Sequence, residues 1–195
     1  MTSSTDTTTA TDWVAGTWTI DPSHSEVGFT VRHLVIAKVR GQFSRWTGAL
    51  EAPGSDFARG SLDVVIDASS IDTGVADRDT HLRSADFFDV ERYPEITFKS
   101  TAVTQAATDR LRVTGALTIK GTTRDVVLDV EVLGQARDPW GNERAAFSAT
   151  TSINRQEFGL AWSKAIEAGP VVGDEVTLLL DGELIKKADP KTAVK

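Results

Sequence analysis

The sequence predicts an all-β domain, a barrel or sandwich of about eight or nine mostly antiparallel strands, and three observations carry that reading. Apolar residues recur with a period of two through most of the chain. Turn residues stand where hairpins need them. One polar segment, residues 72–94, interrupts the alternation.

From Glu26 to His33 the sequence EVGFTVRH puts Val27, Phe29, Val31 and His33 on one face and Glu26, Gly28, Thr30 and Arg32 on the other, the pattern of a half-buried strand. Segments near Trp18 and from Val39 to Leu50 supply further strands. In LDVVI the inward residues are Leu62, Val64 and Ile66, and in EITFKS they are Ile96 and Phe98. LRVTGALTIK opposes Leu111, Val113, Leu117 and Ile119 to Arg112, Thr114, Thr118 and Lys120. Val126, Leu128, Val130 and Val132 continue the pattern. Phe147, Ala149 and Ile153 follow, then Val176, Leu178, Leu180 and Leu184. Turns are expected at Gly121-Thr122-Thr123 and at Asp138-Pro139-Trp140-Gly141, where Pro presets φ and Gly is free to turn positive.

A chain of 195 residues suits one domain, placed over residues 13–186, with a polar arm at 1–12 and a C-terminal tail at 187–195 too poor in apolar residues to order themselves. The net charge of −7 repels phosphate backbones, so no nucleic-acid partner is expected. The first twelve residues lack the basic and apolar regions of a secretory signal, and no apolar run approaches the ~18 residues of a membrane span. A cytoplasmic protein that does not span a membrane is expected. Cysteine is absent, and the three histidines, His24, His33 and His81, have no HxxxH spacing. With no Walker, zincin or G-x-S-x-G pattern either, neither a metal nor a cofactor is expected.

Gly41, Gly115, Ala149 and Gly182 fall among the large inward residues, where small side chains either leave room for a ligand or fit the taper of a filled barrel. Strand parity nominates Phe29, Val31, Phe98 and Leu117 as lining, with Phe147, Leu178, Phe43 and Trp162. His33 shares the parity of Phe29 and Val31, so it is either a core histidine or a polar group inside a pocket. The polar segment predicts a helix of about two turns near Asp77 to Ser84. Its i,i+4 spacings pair Asp79 with Arg83 on the surface, and set Asp77 beside His81 as a base-and-orienter or metal pair. Arg78 would cap or clamp backbone carbonyls. Phe87, Phe88 and Tyr93 give the helix apolar feet, and the segment reads as a lid over an open end. Trp162, with Leu160 and Phe158, would be a channel gate or a dimer contact.

Five stretches, WTIDPSHSEVGFTVRHL, GQFSRWTGAL, DRDTHLRSADFFDVERYPEITFKST, VTGALTIKGTTRDVVLDV and AAFSATTSINRQEFGLAW, closely resemble the YceI-like family, from about Trp18 to Leu184. The resemblance implies an extended antiparallel β-barrel of lipocalin-like shape, about eight strands with the short helix at the mouth. Its apolar channel would hold a long isoprenoid chain, such as a polyprenyl or quinone tail, often in a homodimer. No catalytic residue travels with the likeness, so a soluble carrier or sequestering protein is expected, not an enzyme. Two alternatives stay open on the residues alone: an enzyme on an apolar substrate using His33 or the Asp77 and His81 pair, and a protein-interaction module with a filled core. Many family members carry a secretory signal, whereas this chain begins with a Thr-rich polar arm.

Overall fold

A computed structural model describes residues 14–34, 36–54, 59–163, 165–166 and 169–187; the arm at 1–12 and the tail beyond residue 187 lie outside the described residues. In order come β1 (Gly16–Ile20), β2 (Glu26–His33), β3 (Ala37–Phe43), β4 (Trp46–Ala52), β5 (Ser61–Asp67), β6 (Ile71–Asp72) and α1 (Ala76–Arg83). Then follow β7 (Glu95–Ala107), β8 (Arg110–Ile119), β9 (Thr122–Arg137), β10 (Glu143–Asn154), β11 (Ala165–Ile166), β12 (Gly169–Pro170) and β13 (Val172–Lys186).

Eight antiparallel walls close into a barrel because two of them are bent strands. β1 and β2 form one wall, interrupted by a 3-10 turn at Pro22–His24 that the Asp21 carboxylate caps by accepting from the Ser23 amide. β3 and β4 form the next, bent at Ser44 and Arg45. The two walls pair along both halves, β2 with β3 and β1 with β4. β4 then pairs with β5, and the chain meanders through β7, β8, β9 and β10 to β13. β13 closes the ring by pairing with β2 and with β1. Among the described residues closure partners each wall on both sides over at least part of its length, which shortens exposed edge. The lateral row Leu111, Val130, Ala149, Leu180, Val27, Phe43 joins the start of β8 to the end of β3, which is the stagger of tilted strands in a closed barrel.

The meander puts four connections at one end, here the upper: those after β2, β5, β8 and β10. The β5 to β7 connection carries α1, so the predicted helix does sit over an end of the barrel. The β8–β9 turn is Lys120-Gly121, with Ile119 paired to Thr122, one to two residues before the expected Gly121-Thr123. Both turn residues have positive φ, 48° and 72°, as a two-residue type I′ hairpin requires. Lys120 is held there by its Nζ donating to Ala85 O at 2.8 Å, and a Cβ on Gly121 would strike the Tyr93 ring at 2.6 Å. At the lower end Trp18 is fully buried among Ala52, Leu111, Val132, Ala145 and Leu184. No helix of the described residues is long and apolar enough to cross a membrane.

Outside the lower barrel an ion cluster ties the β1–β2 bend to its neighbours. Arg144 donates to Asp138 at 2.9 Å, to Asp21 at 3.1 Å and to Glu183. The hydrogen bond from His24, helped by Ser23 and Arg144 against desolvation, lowers the Asp21 pKa to about 2. Desolvation pushes Asp138 up, but hydrogen bonds from Arg144 and Asn142 outweigh it and hold its pKa well below the carboxylate range. Both folded values lie below the unfolded ones, so their stabilisation is full above about pH 4 and is lost as pH falls toward about 2. Urea midpoints across a pH series should stay level from about pH 7 to 5 and fall below about 4. In Arg144→Met the midpoint should start lower and change less over that interval.

An apolar cavity along the barrel as candidate binding site

The inward faces enclose a cavity of about 260 Å³, larger than the ~150 Å³ void left by deleting one core side chain, so it is not a packing fault. All eight walls contribute hydrocarbon. On β8 the lining runs from Leu111 to Ile119, eight steps of about 3.3 Å, or about 20 Å along the axis at a strand tilt of about 40°. Leu82, Phe87 and Phe88 close the upper end from the α1 segment, with Leu160 from the β10–β13 connection. The lining includes exposed residues at two places, Glu51 with Pro53 at the end of β4 and the paired Glu26 and Asp181 beside the β1–β2 bend.

Seven of the nine residues nominated from parity line this cavity: Phe29, Val31, Phe43, Phe98, Leu117, Phe147 and Leu178. His33 and Trp162 do not. His33 keeps the parity of Val31 but is the last residue of β2, paired with Val172 and Ala37, and it is not among the residues that line the cavity. Trp162 packs outside the lumen against the α1 segment, 4.7 Å from the His81 ring and 5.3 Å from the Phe87 ring, between centroids. Phe87 is the shared wall, facing the cavity on one side and Trp162 on the other.

Of the two readings of the inward glycines, room for a ligand or a packed fit, the structure shows the packed fit. Each seats a phenylalanine ring flat against the barrel wall. A Cβ on Gly182 would lie 2.5 Å from Phe147 Cζ, its directly paired neighbour. One on Gly41 would come closer than 3.0 Å to the Phe29 ring. At Gly115 it would meet both the Phe98 ring and, at 2.7 Å, the Lys99 carbonyl. The seats keep three rings out of the lumen. Gly115→Leu would therefore damage folding as well as the cavity, because a carbonyl cannot swing aside. Gly182→Ala meets only ring atoms and should tip Phe147 into the lumen. It is expected to weaken binding of a long apolar ligand about tenfold, since roughly two buried CH2-equivalents are lost, with a urea midpoint close to that of the parent; titration of both proteins checks it.

The α1 segment is built as a cap. Asp79, 6% exposed, accepts from the Thr73 amide at 2.9 Å and from its hydroxyl. Arg78 donates to Thr73 Oγ1 and O at 2.7 and 2.8 Å, the expected carbonyl clamp. Arg83 donates to the carbonyls of Ser69 at 2.7 Å and Ile71 at 2.6 Å. Asp79 and Arg83 are thus separate backbone staples and not a surface ion pair. Nor is Asp77 the partner of His81: Asp77 is exposed, and His81 Nε2 meets Asp86 Oδ2 at 2.9 Å. Phe88 turns inward, edge-on to Phe43 at 5.9 Å, and Phe43 lies 5.9 Å from Phe29.

Sequence reasoning missed Arg155, 3% exposed at the upper end of the cavity. All five of its N–H groups are engaged: Nε with Gly173 O at 2.9 Å, Nη1 with Leu160 O and Trp162 O, Nη2 with Val172 O at 3.3 Å and Asp174 Oδ1 at 3.1 Å. It gathers the connection that carries Leu160 and Trp162. A buried staple of this kind is signalled in sequence only by a charge at the end of an alternating run, SINRQEF. Asp21, His24 and Glu183 converge as metal ligands would, but the Arg144 guanidinium already bonds Asp21 and Glu183 and supplies the positive charge there.

Comparison with known proteins agrees with this architecture. Protein YceI of Shigella sonnei is 36% identical over 176 residues, covering 89% of each chain. Burkholderia cenocepacia BcnA superposes with a TM-score of 0.75 at 26% identity, over 84% of this chain and 98% of that one. A polyisoprenoid-binding domain from Saccharophagus degradans superposes with a TM-score of 0.68 over 87% of this chain and 98% of its own. At 16% identity that likeness speaks to fold alone. The YceI-like domain matches residues 18–184, from the buried Trp18 to Leu184 on the closing strand, and the chain belongs to the YceI-like family.

Proposed function

We propose that the barrel binds a long isoprenoid or similar amphipathic lipid chain inside its lumen, as a soluble carrier or sequestering protein. The observation that carries this reading is the cavity itself: its wall is side-chain hydrocarbon along about 20 Å of axis, while the backbone polar groups are satisfied strand to strand. Burying one five-carbon unit gains about 4 kcal/mol at ~0.8 kcal/mol per CH2-sized group, and association costs about 4 to 15 kcal/mol. Several units must therefore enter, which a lumen of this length allows and a surface groove does not.

The competing readings have less support. Neither His33 nor an Asp77 and His81 pair is brought to the cavity, and a void of this size argues against a module with a filled core. Native mass spectrometry of protein purified from cells, followed by organic extraction, should recover a long-chain lipid at one per barrel. Ligand-free protein that also takes up no added polyprenyl chain would overturn the reading.

A further inference from the structure

The ladder between β5 and β7 stops halfway down the barrel. It runs from Asp67 paired with Glu95 to Asp63 paired with Lys99. One residue further, the Leu62 amide donates at 2.7 Å to the Ser100 hydroxyl instead of to a backbone carbonyl. β7 then bulges twice against β8, at Thr101 and at Ala106, and bulges bend a strand and terminate pairing. From Thr101 to Ala107 the other edge of β7 has no strand partner among the described residues. All of these residues are exposed except Val103, which is half-buried.

The cavity reaches this break from both sides. Pro53, Gly60, Ser61 and Leu62 line it from one lip, and Val103 with Leu111 from the other. At the second exposed part of the lining, beside Glu26 and Asp181, the wall is sewn shut: Asp21 N donates to Glu183 O at 2.8 Å and Glu183 N to Ser25 Oγ at 2.9 Å. Among the described residues Ala37 to Gly41 of β3 also lack a second strand partner, but none of them lines the cavity. That stretch carries Lys38 and Arg40, the charges that ordinarily blunt an edge. From Thr101 to Ala107 there is neither a charge nor a proline.

Resting on the lipid-binding reading above, we propose that the isoprenoid chain enters and leaves sideways, through the slot between β5 and the lower half of β7, and not past the α1 cap. Both ends of the barrel are held closed. The upper end is fastened by Arg78 and Arg83 on backbone carbonyls and by Lys120 Nζ on Ala85 O, and the lower end by the cluster around the buried Trp18. End-on entry must break those bonds or unpack that cluster. Sideways entry breaks no strand-to-strand bond, and a hydrocarbon crossing the uncharged β7 lip strips water from no ion.

The test exploits a chain without cysteine. Ser61→Cys with Ala102→Cys puts thiols on the two lips, to be bridged by a short bismaleimide. Ala85→Cys with Lys120→Cys bridges the cap to the β8–β9 turn in the same way. Stopped-flow fluorescence follows uptake and release of an NBD-labelled geranylgeranyl chain by the full-length protein. Bridging the slot should slow both about tenfold or more while the Kd, set by their ratio, stays within about threefold of the parent. Bridging the cap should leave both rates within about twofold. Should the slot pair fail to fold, a bulky maleimide on Ala102→Cys alone, at an exposed position, carries the same expectation. Unchanged rates with the slot blocked, or slowing by the cap bridge alone, would overturn sideways entry while leaving the lumen as the site. No uptake by the parent protein would instead overturn lipid binding itself.

Discussion

Ala149→Trp is expected to lower the affinity for a long isoprenoid chain at least a hundredfold, with the barrel still folded. Ala149 lies on the inner face midway along β10, between Val130 and Leu180, and lines the cavity. An indole there projects into empty space, so it meets ligand room before it meets packed core, and overpacking of a few kcal/mol at most is expected. The plug divides the lumen. A chain that must stop there forgoes at least one five-carbon unit, about 4 kcal/mol of burial, or about a thousandfold if nothing relaxes. Titration calorimetry with a detergent-solubilised polyprenyl chain gives the affinity, and the urea midpoint reports the fold. A variant that folds and still binds within threefold of the parent, roughly 0.6 kcal/mol, would show that the chain does not pass Ala149.

Arg155→Met is expected to cost about 3 kcal/mol or more of stability, because several carbonyls lose their donor at roughly 1 to 3 kcal/mol for each one left buried and unsatisfied, a large share of the ~5 to 15 kcal/mol that holds an ordinary domain together. The methionine fills similar volume but abandons the carbonyls of Gly173, Leu160, Trp162 and Val172 and leaves Asp174, half exposed, with Gln156 Nε2 at 2.7 Å in place of the guanidinium. Each orphaned acceptor carries a desolvation penalty. Arg155→Lys should recover little, because a point ammonium cannot reach acceptors spread around a planar fork. Chemical denaturation measures the loss. Since the same residue positions Leu160 and, through Trp162, the Phe87 wall, bound lipid should restore part of the lost midpoint by mass action. A midpoint unchanged in Arg155→Met would mean that the staple is dispensable.

Much of the wall was legible because its two faces meet different media. On β8, β9, β10 and β13 one face meets hydrocarbon and the other water, and a period of two is the direct image of that difference. Parity failed where the backbone departs from it. The bulge at Leu133 turns Gln135 inward, and nothing in GQAR announces it. The bends at Pro22–His24 and Ser44–Arg45 turn two hairpin strands into longer walls, a property of closure and not of local sequence. Asp79 and Arg83 have the spacing of a helix-surface pair, yet Thr73, Ser69 and Ile71 claim them through contacts set by the fold. The choice between the two readings of glycine stayed open for a related reason: it marks where a ring from the neighbouring strand approaches, as Phe147 does at Gly182, and sequence does not show the neighbour.

A crystal structure of the protein loaded with a brominated polyprenyl chain tests the central claim most directly. The account predicts bromine signal and continuous chain density inside the barrel, past Ala149 and toward Phe88, with Phe29, Phe98 and Phe147 still flat on their glycine seats. Density for the chain on the outer surface, or a lumen filled by rearranged side chains with no chain inside, would contradict it.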